Sequence, residues 1–237
     1  MRAVFWRDFR AFFHNMLGPM YLALFLMISG SIFVQDNIAN SSASLLGLFP
    51  KMCLPLIFII PLGTMNSFAL EKKQGSIQLL ISAPLSLTKM IAGKFVACFG
   101  LFFLAVLITG IYPLLLLGAS QVAFSEIFCS YLGILLLGAA LISIGILISA
   151  LSKSPSFAYG ITTISLFTLW LLSNMMPAVS NFPLASILSV CSLFTTYSHF
   201  ELGLISLSSC LTLLAATILS LVLSITCLRH QIRRSGL

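Results

Sequence analysis

Charge is what this chain has least of. Its 12 Lys and Arg and 5 Asp and Glu are 7% of 237 residues, where an ordinary globular domain carries roughly a quarter. A soluble surface needs more charge than that. Disorder is excluded by the opposite excess, since 59% of the residues are hydrophobic. The net charge of +7 does not indicate a nucleic-acid partner, because the basic residues are spread along a mostly apolar chain and form no continuous basic face. What remains is an integral membrane protein.

Other absences narrow the chemistry. Cys53, Cys98, Cys129, Cys191, Cys210 and Cys227 form no C-x-x-C pair and no zinc-type spacing. Most lie in or at the ends of apolar runs, where cysteine behaves as a small apolar residue, so neither a disulfide framework nor a metal site is expected. No ionisable residue stands at the centre of an apolar run, and no internal repeat is evident, which argues against an ion- or proton-coupled carrier. There is no H-E-x-x-H, no G-x-S-x-G and no Asp-rich cluster in or beside a run, so a membrane-embedded enzyme lacks its catalytic constellation. The basic start followed by an apolar run is compatible with a signal peptide. That run is full length, however, and no small-x-small cleavage site follows, so it reads as an uncleaved first span.

What is present is long apolar sequence. A spanning helix needs roughly 20 mostly apolar residues. Six segments qualify, approximately Met16–Val34, Met52–Leu70, Phe95–Leu117, Ile127–Leu151, Phe157–Met176 and Leu207–Leu228, and none contains Lys, Arg, Asp or Glu. They lack the alternation of membrane-barrel strands, so an all-α integral membrane protein with six transmembrane helices is expected. Arg2, Arg7, Arg10, Lys72, Lys73, Lys89, Lys94, Lys153, Arg229, Arg233 and Arg234 fall on one side of that arrangement, and Lys51 alone on the other. Loops rich in Lys and Arg stay in the cytoplasm, which puts both termini there.

Three stretches between the runs carry information. Residues 1–15 pattern as an amphipathic interface helix, with Phe5, Trp6, Phe9, Phe12 and Phe13 on one side and Arg7, Asp8, Arg10 and His14 on the other. Between Glu71 and Lys94, Gly75 can stop a helix, Ser76 can cap a new one and Pro84 ends it. The result is a helix of about two turns over residues 76–83, with Ile77, Leu80 and Ile81 on one face. So short a helix needs a surface to dock on. On the outer side, Leu184–Phe194 is apolar but too short to span and reads as re-entrant or interfacial. His199 and Glu201 follow it, with no third metal ligand nearby. Polar residues inside the runs are few. Thr64, Asn66, Ser67 and Asn174 are candidates for a substrate path or, equally, for interhelical hydrogen bonds.

These residues resemble the type-2 ABC transporter permeases. The resemblance rests on Pro61-Leu-Gly-Thr-Met65, on Glu71-Lys-Lys-Gln-Gly-Ser-Ile-Gln-Leu-Leu80, on Ser82-Ala-Pro-Leu-Ser86 and on Gly93-Lys94-Phe95. Arg7-Asp8-Phe9-Arg10-Ala11-Phe12-Phe13 is similar to that family's N-terminal interface helix. Leu188-Ser189, Ser192-Leu193 and Ser198-His199-Phe200-Glu201 look like the branch of gliding-motility and copper-enzyme-maturation permeases. The resemblance implies a permease subunit of an ATP-driven transporter, an exporter by this reading, in the cell membrane. No G-x-x-x-x-G-K-[ST] phosphate loop is present, so ATP and magnesium would be held by a separate ATPase subunit, and this chain would bind no cofactor. The ATPase would contact Glu71, Lys72, Gly75, Ser76, Ile77, Leu79, Leu80 and Pro84 of the coupling loop, and Phe5, Arg7, Phe9, Arg10 and Phe12 of the interface helix. A second permease subunit, a copy or a paralogue, would complete the assembly in the bilayer.

Overall fold

The computed structural model describes residues 2–39, 47–74, 87–116, 124–179, 193–201 and 206–234. Among them every regular element is helical. The loop over residues 75–86, with the expected helix at 76–83, lies outside the described residues, as does the outer segment up to residue 192.

Helix α1 (Arg2–His14) is joined to α2 (Leu17–Phe33) by a tight turn at Met16, which adopts a left-handed φ of 56°. Gly18 allows the reversal, since a Cβ there would lie 3.0 Å from the Phe12 carbonyl oxygen. A π-helical turn, Val34–Ala39, continues α2. Helix α3 (Leu48–Thr64) is followed by a turn over residues 65–68 and the short α4 (Ala69–Lys73). Helix α5 (Leu87–Thr109) breaks at Gly110 before α6 (Ile111–Leu116). The cause is Pro113, which has no N–H and whose ring crowds the carbonyl of Thr109. The freed Thr109 oxygen accepts a bond from the Tyr131 hydroxyl at 2.8 Å. Then come α7 (Phe124–Leu151), α8 (Pro155–Val179), α9 (Leu193–Glu201) and α10 (Leu207–Arg234). Pro155 occupies the first turn of its helix, where a missing N–H costs nothing. Ser206 caps α10 by accepting the Ser209 N–H at 3.2 Å.

Helix α7 is the centre of the bundle, packed by α3, α5, α8, α9 and α10. Its glycines permit the close approaches. A Cβ at Gly138 would stand 2.1 Å from the Phe102 ring of α5, and one at Gly145 would stand 2.4 Å from Thr64 Oγ1 of α3. Small residues at helix contacts are the usual device where lipid removes the hydrophobic drive for association. Outward faces stay apolar, as along Leu207, Leu211, Leu214, Ile218 and Val222 of α10.

Among the described residues, five helices are long and apolar enough to cross a membrane: Leu17–Asn37, Leu87–Leu115, Ile127–Leu151, Pro155–Met175 and Leu207–Gln231. The expected single helix over Met52–Leu70 is corrected. It is cut at residues 65–68, which leaves α3 at 17 residues, about 25 Å at 1.5 Å per residue. Thr64, Asn66 and Ser67 are poor helix formers that compete for backbone groups, and partners from other helices stabilise the break.

Candidate functional site

The break in α3 lies at one end of the bundle, and Arg7, Asp8, Glu71 and Lys94 gather around it. Lys94, near the start of α5, is 3% exposed. Its Nζ donates to Glu71 Oε1 of α4 at 2.8 Å and to the Ser67 carbonyl in the turn. It also sits 3.5 Å from Asp8 Oδ2 of α1 and 4.8 Å from the Phe68 ring centroid. Arg7 closes the group from outside. Its Nη2 meets Glu71 Oε1 at 2.9 Å, and its Nε donates to Asp8 Oδ1 at 2.8 Å. Partial burial works against the Arg7 charge, but the bond to Asp8 and the fields of Asp8 and Glu71 outweigh it and raise its pKa. Two cations and two carboxylates therefore join α1, the turn, α4 and α5 at one point.

The other side of the turn is tied to α7. Ser149 Oγ accepts the backbone N–H of Phe68 at 3.1 Å and of Ala69 at 3.3 Å, and donates to the Met65 carbonyl at 3.2 Å. Lys72 reaches past it, donating to the Ala150 carbonyl near the end of α7 and to Gln231 Oε1 of α10 at 2.8 Å. Burial lowers the Lys72 pKa. The opposite end of the bundle carries the Asp36–Lys51 ion pair between the π-turn and α3.

Glu71 and Lys72 are in these networks, whereas Gly75, Ser76, Ile77, Leu79, Leu80 and Pro84 lie outside the described residues. In α1, Phe5 and Phe9 stack at 5.5 Å between ring centroids and lie over Gly100 of α5, and Phe12 is buried. Trp6 stays exposed with the Arg10 guanidinium 5.2 Å from its ring centroid. Asp8 corrects the expected division of faces. It is turned inward with a side chain only 17% exposed, because the buried Lys94 ammonium needs an anion beside it. Thr64 bonds the Ile60 carbonyl within its own helix at 3.2 Å, and Ser67 Oγ lies 3.3 Å from Cys98 Sγ. Asn66 lines a cleft of about 300 Å³ between α1, the turn and α5. Asn174 is not with them. It lies toward the far end of α8 and bonds the Trp170 carbonyl at 3.0 Å. In the sequence Lys94 appears only within the Gly93-Lys94-Phe95 motif, and nothing marks Ser149 or Gln231. Their partners are remote in sequence, so no local spacing marks them.

A family model described as ABC-2 family transporter protein matches residues 33–228, well over half of the chain. The chain belongs to that family. It is thus a multi-pass membrane protein and a transport component, an ABC permease subunit. Members of this kind work with an ABC ATPase subunit. No curated protein matches the sequence.

Proposed function

We propose that this chain is the permease half of an ATP-driven exporter, with six spans including α3, both termini in the cytoplasm and a place in the cell membrane beside a second permease subunit. ATP and magnesium bind a separate ATPase, which docks on the loop over residues 75–86 and on α1. The observation that carries the reading is the convergence of α1 and α4, which feeds that loop, on one charged cluster at one end of a mostly apolar bundle. Force on the loop meets a joint already connected to α1, α5 and α7. The excess of Lys and Arg in the segments at that end supports its cytoplasmic placement. A two-state bundle biased by such a joint is how nucleotide binding elsewhere would switch a membrane path.

The test is co-purification with the cognate phosphate-loop ATPase. Ile77→Asp together with Leu80→Asp is expected to abolish the complex and permease-dependent ATP turnover. A complex and turnover that survive both changes would refute docking there. Reporter fusions after Ser42 and after Pro183 are expected to report outside, and a cytoplasmic signal at either contradicts the six-span orientation.

A further inference from the structure

Chain order makes α4 a continuation of α3. The hydrogen bonds attach it elsewhere. Across the break, Met65 N–H donates back to Pro61 and Ser67 N–H to Thr64, both within α3 and its turn. The N–H groups of Phe68 and Ala69, at the start of α4, go to Ser149 of α7 instead. Phe68, the residue before α4, offers no side-chain cap of its own. Ser149 therefore serves as an N-cap in trans, supplied by a different helix.

The hydroxyl is used to capacity. A serine has one donor and two acceptor lone pairs, and here the donor goes to Met65 while the acceptors take the amide of Phe68, just before α4, and that of Ala69, its first residue. Ser149 is wholly buried, so water cannot substitute for it. Lys72 adds a second tie in the same direction through the Ala150 carbonyl and Gln231.

We propose that Ser149 is a positioning residue that couples α4 to the central helix α7, so that displacement of α4 is delivered to α7 and not along α3. A push needs a stiff path, and the turn at residues 65–68 interrupts the one that leads to α3. The path through Ser149 ends on the helix that touches α3, α5, α8, α9 and α10. The part of this concerning displacement rests on the permease reading above; the trans cap does not.

Two measurements on the full-length chain separate these. First, hydrogen exchange of residues 65–73 is followed in detergent micelles for wild type, Ser149→Ala, Ser149→Cys and Ser149→Thr. The Phe68 and Ala69 amides are expected to exchange at least tenfold faster in Ser149→Ala, at an intermediate rate in Ser149→Cys, and near the wild-type rate in Ser149→Thr. Peptides from α10 should be unchanged. Should the alanine variant not fold, the cysteine variant decides, and wild-type exchange in it overturns the cap. Second, spin labels at Leu54→Cys, on the exposed side of α3, and at Lys153→Cys, just beyond α7, are read in the complex with the ATPase, so that the distance reports movement of α7 relative to α3. An ATP-induced distance change is expected in wild type and in Ser149→Thr, and its loss in Ser149→Ala with ATPase affinity unchanged. A change that persists in Ser149→Ala, or is absent from wild type, overturns the coupling role. Failure of the wild-type chain to bind the ATPase refutes the permease reading instead, and the exchange result still decides the cap.

Discussion

Replacing Lys94 by Met removes a buried ammonium and keeps most of its apolar stem. In the wild type that ammonium touches Glu71 at 2.8 Å and the Ser67 carbonyl, and stands 3.5 Å from Asp8. After the change, two carboxylates with side chains only 16–17% exposed face each other with Arg7 alone to neutralise them. Arg7 is 47% exposed and approaches from the outer side, so it cannot fill the vacated position. Removing one partner of a buried pair costs about 3–5 kcal/mol, because the partner is left charged and desolvated. Lys94→Met should therefore lower the free energy of unfolding by about that amount. Reversible unfolding in mixed micelles, followed by helical circular dichroism, reads it. Lys94→Met combined with Glu71→Gln should recover more than half of the loss, since the stranded charge is gone. A single variant within about 1 kcal/mol of wild type would mean that the cluster is hydrated and contributes no more than a surface pair, and the reasoning would fail.

Two pairs of changes probe the packing of α7 and its neighbours. Gly138→Val inserts a branched side chain where even a Cβ would lie 2.1 Å from the Phe102 ring, so unfolding stability should fall by about 1–3 kcal/mol or more, while Gly160→Ala, with nothing within 4 Å, should be near neutral. Tyr131→Phe leaves the Thr109 carbonyl that Pro113 freed without its donor, for a loss of about 1–2 kcal/mol. Pro113→Ala in the same background should reduce that loss by restoring the helical N–H, and the same unfolding measurement checks it.

The sequence shows its helices where burial in lipid dictates composition. The apolar runs that hold α2, α5, α7, α8 and α10 are continuous because a spanning helix must be apolar on nearly every face. The break in α3 is invisible in hydropathy, since Met65–Phe68 is no more polar than a spanning helix tolerates; it exists because Ser149 and Lys94 stabilise the freed backbone. Asp8 patterned as solvated because its neighbours Arg7 and Arg10 are, and a helical wheel cannot show that a buried lysine from α5 reaches α1. Glu71 and Lys72 stood out as a charged pair before a short helix, yet Glu71 points to α1 and α5 while Lys72 points to α7 and α10. That divergence is set by tertiary packing alone.

The central claim is that a separate ATPase seats on the loop after α4. Site-specific photo-cross-linking tests it most directly, with the probe placed in turn at Leu79, at Arg10 and, as a lipid-facing control, at Leu211 in the co-expressed complex. Cross-links to the ATPase from Leu79 and Arg10, and none from Leu211, are the expected result. Silence at Leu79 in a complex that still turns over ATP would contradict the account.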